Sequence, residues 1–141
     1  MTWYDLGWSY HFWHRYPGNP VAMETLDQLK TRLREFAVAR DWEQFHSPKN
    51  LAMALIVESA ELVEHFQWLT EEQSATLPPD KHAEVEQELA DIQIYLIRLA
   101  DRLNIDLEQA VDAKIALNER RYPVEKVRGS AKKYTEYDSG C

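Results

Sequence analysis

Four carboxylates stand in two Glu-x-x-acid pairs, Glu58 with Glu61 and Glu88 with Asp91. On a helix, residues three apart project from successive turns on the same side, so two such helices side by side could surround an ion with carboxylates. A winding of about 100° per residue puts Leu51, Ala54, Leu55, Glu58, Glu61, Leu62 and His65 on one stripe. It puts Glu84, Glu88, Asp91, Ile92, Tyr95 and Leu99 on another. Both stripes should face a core, and neither offers a Lys or Arg within one turn of its acid pair. A buried carboxylate is costly unless it is paired, protonated or bound to a cation. A divalent metal resolves the conflict, and an oxygen-only donor set suits Mg2+, or else Mn2+, better than zinc, which calls for Cys or His. One such pair arises by chance in any acidic helix. Two pairs on inward stripes of neighbouring helices carry the reading.

A third group has the opposite sign. Lys114, Asn118 and Arg121 share a helical face at four-and-three spacing, followed by Tyr122-Pro123. Beside a metal cluster they could hold phosphate oxygens, the planar fork of the arginine meeting two at once. The same residues also suit a solvated helix end, where cations oppose the dipole. Arg128, Lys132 and Lys133 either extend this basic group or belong to a solvated tail. Tyr95 falls one turn beyond Asp91, Trp68 at the end of the second helix and Trp42 in the link before it. Flat rings near a phosphate site are suited to stacking a nucleobase, though each also suits a core. His46 and His65 read as structural. Only four glycines occur and no Gly-rich phosphate loop, which excludes P-loop and Rossmann nucleotide binding. No His-Glu-x-x-His is present, and the pair of helical Glu-x-x-His motifs that ferritin-like di-iron chemistry needs is missing.

These groups must be positioned by helices. Residues 23–40 repeat Leu26, Leu29, Leu33, Phe36 and Ala37 at helical spacing. A second helix opens after Ser47-Pro48, a good cap followed by a good first residue, and runs to about Trp68. A third spans about 79–104 and a fourth about 106–121, stopped by Pro123. Residues 69–79 form the one long loop. No convincing strand appears, so the fold class is all-α, a four-helix bundle. Met53, Ile56, Val57 and Val63 on the second helix, with Ile94 and Ile97 on the third, lie off the acid-bearing stripes. Helices apolar on two faces in so small a domain predict an oligomer. The chain divides into an aromatic arm at 1–23, a helical domain at 24–123 and a tail at 124–141. The arm, rich in Trp, Tyr and His, is expected to pack on the domain or a neighbouring subunit.

Length and composition bound the class. A chain of 141 residues makes one domain, and a net charge of −8 disfavours nucleic acid or a membrane surface as the main partner. The single cysteine, Cys141, permits no intramolecular disulfide and fits a reducing, cytoplasmic setting. No apolar run approaches the ~20 residues of a membrane span.

Taken together, Glu58-x-x-Glu61, Glu88-x-x-Asp91 and Lys114-x-x-x-Asn118-x-x-Arg121-Tyr122-Pro123 resemble the all-α nucleotide pyrophosphohydrolases of the MazG type. Residues 40–46, 61–68, 91–96 and the Lys133-Tyr134-Thr135-Glu136 stretch look most like the dCTP pyrophosphatase branch, and the likeness covers about 25–137. It implies a homotetramer, a dimer of dimers, that uses Mg2+ to cleave a deoxynucleoside triphosphate, dCTP or a modified dCTP, to the monophosphate and pyrophosphate in nucleotide-pool housekeeping. By position, Glu58, Glu61, Glu88 and Asp91 would be metal ligands, with Glu61 or Glu58 also orienting or deprotonating the attacking water. Lys114, Asn118 and Arg121 would bind phosphate, and Trp42, Trp68 and Tyr95 would line the base and sugar pocket. Lys133 and Tyr134 would cover a neighbour's site. The chain departs from the branch at Leu33, where animal members have a histidine, and in the arm 1–23, which has no counterpart there. Two alternatives remain: a broad dNTP or dUTP pyrophosphatase, and a non-catalytic helical oligomer that binds a metal-nucleotide complex.

Overall fold

A computed structural model describes residues 24–133. Among them are six helices: α1 (Leu26–Val38), α2 (Pro48–Glu64), α3 (Glu71–Ser74), α4 (Pro79–Arg102), α5 (Leu107–Arg121) and α6 (Val124–Val127). The arm 1–23 and Tyr134 lie outside the described residues.

Local chemistry explains most of the boundaries. Thr25 and Gln28 exchange side-chain and backbone bonds in a capping box at the start of α1. Ser47 accepts from the Asn50 N–H and Pro48 occupies the first turn of α2, while Asp106 accepts from the Gln109 N–H at the start of α5. Two expectations need correction. The second helix stops at Glu64, four residues before Trp68, and the chain continues in turns through Phe66 and Leu69. Thr70 then takes an extended backbone and caps α3. That short helix interrupts the expected loop 69–79, and its Thr70/Gln73 capping box stands in the sequence. The expected tail likewise begins with a single turn, α6.

The core forms where α4 packs against α2 and, to a lesser extent, α1. Leu33, Leu51, Ala54, Tyr95 and Ile97 make its buried cluster, with Leu29, Phe36, Trp42, Leu55 and Ile94 packed around it. Ile94 and Ile97 therefore spend their apolar surface in the chain's own core, and not on a second exposed face. Helix α2 differs, because Met53, Ile56, Val57 and Val63 are all exposed. Helix α5 has no buried residue and packs closely on none of the other helices. Four long helices are present, but within one chain only α1, α2 and α4 close around a common core.

Candidate active site

The α2–α4 pairing brings the acids together. Glu58, from the middle of α2, meets Glu88 and Asp91 of α4, and each offers a carboxylate oxygen within 4.8 Å of the other two. All three are partly buried, and none forms an ion pair or hydrogen bond with a described residue. Burial first, and then the charges of Asp91, Glu61 and Glu88, push Glu58 up to about 7. The same causes, burial ahead of Glu88 and Glu61, raise Asp91 to about 6, and Glu88 is raised as well. Glu61 stays outside the 4.8 Å group, yet its charge adds to the shift of all three. Tyr95, buried beside the cluster, has its hydroxyl pushed up by burial and by Glu58, Asp91 and Glu61.

A divalent cation fits this donor set. Three carboxylates converge from two helices, burial and mutual repulsion hold their protons abnormally tightly, and every donor is oxygen. Charge complementarity alone would make the cluster a cation site. Nearby, His65 Nδ1 lies 3.6 Å from Glu84, at the edge of the acids and not among them.

The remaining candidates are dispersed. Trp42 is half-buried in the α1–α2 turn, edge-on to Phe36 at 5.8 Å between ring centroids and to His46 at 6.4 Å. Trp68 is 86% exposed. Lys114, Asn118 and Arg121 lie on the exposed side of α5, and Lys133 is exposed beyond α6. No ion pair joins Lys114 to any of the four acids among the described residues, and α5 packs closely on neither α2 nor α4. A cavity of about 320 Å3 lies elsewhere, between α1 and the α4–α5 junction. Its cations are already committed, Lys30 to Asp27 and Arg34 to Asp101.

Sequence reasoning missed Arg98. It is 1% exposed on α4 and is bound by Glu43 and Asp101. The signal was present: at four-and-three spacing, Asp91, Tyr95, Arg98 and Arg102 continue one stripe, which brings Arg98 about two turns beyond Asp91.

Comparison with known proteins adds an independent line. Residues 53–137 match the MazG-like family. The chain is 48% identical over 118 residues to dCTP pyrophosphatase 1 of Mus musculus, covering 82% of this chain and 69% of that protein. It is 45% identical over 119 residues to dCTP pyrophosphatase 1 of Homo sapiens, covering 83% and 70%. Among solved structures, a pyrophosphatase from Archaeoglobus fulgidus DSM 4304 superposes with a TM-score of 0.67 at 38% identity, covering 75% of this chain and 99% of that one.

Proposed function

The chain belongs to the MazG-like family, and from that premise we propose that it hydrolyses dCTP, or a modified dCTP, to the monophosphate and pyrophosphate with the help of Mg2+. The observation that carries the reading is the convergence of Glu58, Glu88 and Asp91, three carboxylates with raised proton affinity and no ion-pair partner among the described residues.

Glu58, Glu88 and Asp91 would hold the ion, with Glu61 completing the set from the next turn of α2. When bound, a divalent cation supplies charge neutralisation at phosphate oxygens and acidifies water. Glu61 or Glu58 would orient the attacking water and take its proton. Lys114, Asn118 and Arg121 would bind the phosphates and offset charge growing on the departing pyrophosphate. Trp42 and Tyr95 would line the base and sugar pocket, joined by Trp68, and Lys133 with Tyr134 would close over the site.

This division of labour requires more than one copy. Helix α5 carries the phosphate-binding group on a surface that its own chain leaves unpacked, and α2 presents Ile56 and Val63 to solvent at 66% and 57% exposure. A homotetramer, built as a dimer of dimers, covers both faces and delivers the cations of one subunit to the acids of another.

Product analysis tests the reading. Purified protein is incubated with each dNTP and dUTP, with and without Mg2+, and the products are separated by chromatography. Metal-dependent dCMP and pyrophosphate, formed fastest from dCTP, supports it. Faster turnover of another nucleotide keeps the chemistry and moves the base assignment, and no turnover of any nucleotide refutes the catalytic reading.

A further inference from the structure

Arg98 lies on α4 about two turns beyond Asp91. One of its terminal nitrogens, Nη2, donates to Glu43 Oε1 at 2.5 Å and faces His46 Nδ1 at 3.4 Å, and Nη1 donates to Asp101 at 3.0 Å. Arg102, one turn on, donates to the other Glu43 oxygen at 2.7 Å. Two arginines of α4 thus grip one carboxylate of the α1–α2 turn. Because a guanidinium only donates, His46 Nδ1 must accept and its proton must sit on Nε2. Burial, followed by the Arg98 charge, lowers the proton affinity of that imidazole.

Glu43 and His46 bracket Trp42. The His46 N–H donates to the carbonyls of Trp42 and Glu43, both at 3.2 Å, and the His46 ring meets the indole edge-on. Just before it, Asp41 takes a left-handed backbone with φ of 55°, which Asp tolerates better than most residues with a side chain. Gln44 returns to the Asp41 carbonyl at 2.9 Å. The turn is closed on itself and tied to α4 at one acid.

Stability alone is a poor reason for this arrangement. An apolar side chain of similar volume stabilises a core as well as a buried ion pair does. Arg98 Nε is moreover left without a hydrogen-bond partner. What the network supplies, and an apolar contact does not, is a fixed direction and distance between α4 and the turn.

We propose that Arg98 is a positioning residue for substrate selection: through Glu43 and His46 it locks the Trp42 turn to the helix that bears Glu88 and Asp91, and so sets where the indole stands relative to the acids. The proposal rests on the reading of Trp42 as part of the base pocket. Displacing a positioning group by about 1 Å is enough to cost tenfold or more in productive binding.

The test uses the full chain as wild type and as Glu43→Gln, Arg98→Lys and Arg102→Gln. Hydrogen exchange of residues 40–46 is followed by mass spectrometry, and KM, kcat and the ratio of kcat/KM between dCTP and the other dNTPs are measured at saturating Mg2+. Glu43→Gln and Arg98→Lys should speed exchange at 40–46, raise KM about tenfold, narrow base discrimination and leave kcat within about twofold. Arg102→Gln should do the same more weakly. Unchanged exchange overturns the clamp. Faster exchange with unaltered KM and base preference, or an equal fall in kcat for every nucleotide, reduces Arg98 to a structural role and overturns the proposal. If wild type hydrolyses no nucleotide, the pyrophosphohydrolase reading is what fails. The clamp is then decided by exchange together with the Kd for Mg2+-dCTP.

Discussion

Glu58 on α2 and Asp91 on α4 meet across the helix interface with carboxylate oxygens no more than 4.8 Å apart. Burial first, and then the neighbouring acids, push Glu58 up to about 7 and Asp91 up to about 6, above their ordinary 4.5 and 3.8. Between the ordinary and the raised values the folded state binds more protons than the unfolded state, so stability falls as pH rises through that window. Without metal, the melting temperature should therefore drop by several degrees from about pH 5 to about pH 8, where Mg2+ no longer competes with protons and its stabilising effect should be largest. Thermal melts across that range, in chelator and in Mg2+, check this. A metal-free melting temperature that holds or climbs with pH would sink the argument.

Asp91→Asn removes one of the repelling charges while keeping the shape of the side chain. It should raise the metal-free melting temperature at about pH 8 yet reduce turnover at least 100-fold. Glu61→Gln should lose about as much turnover, since a positioned base contributes roughly 10²–10⁴-fold. Circular dichroism and gel filtration should report a native fold for both. Retained activity in either variant removes that residue from the mechanism.

Much of this site was legible because helix periodicity is a strong signal and the acids break it in a visible way. Glu58, Glu88 and Asp91 could be placed on facing stripes from spacing alone, and the cap at Ser47 marked where α2 begins. Two kinds of information were hidden. The end of α2 at Glu64 falls where the sequence has neither Pro nor Gly, so spacing alone did not mark it. Arg98 escaped because its partner Glu43 is 55 residues away in sequence, and spacing along one helix says nothing about what a turn brings to it. For the same reason the covering of Ile94 and Ile97 within the chain's own core could not be separated from covering by a second subunit.

Leu51 anchors the α2 side of the core at 1% exposure, packed among Leu33, Ala54 and Tyr95. Leu51→Ala should cost about 3 kcal/mol, the lost transfer free energy plus the cavity left behind. Tyr95 rests on the same cluster, so its position beside the acids should loosen and turnover should fall with stability. Denaturant melts read the first effect. A loss under about 1 kcal/mol would mean that the core collapses around the gap.

If α5 of one subunit serves the acids of another, the two halves of the site are separable by mixing. Asp91→Asn and Lys114→Ala should each be nearly inactive alone, because every site in either homo-oligomer lacks one half. Co-expressed in equal amounts and assembled at random, they should recover about a quarter of the wild-type sites, those pairing the intact acids of one copy with the intact lysine of another. Sites built within one chain recover nothing on mixing, since every chain carries a lesion. Ile56→Glu supplies the control. At 66% exposure on α2 the residue contributes little to its own chain's core, so the substitution should leave the helix content intact while driving the assembly towards smaller species. Analytical ultracentrifugation would see that shift, and the same variant should lose the activity regained by mixing. Normal assembly with glutamate at position 56 would move the subunit contact away from α2, and recovery of no activity from the mixture would return Lys114 to the chain that bears the acids.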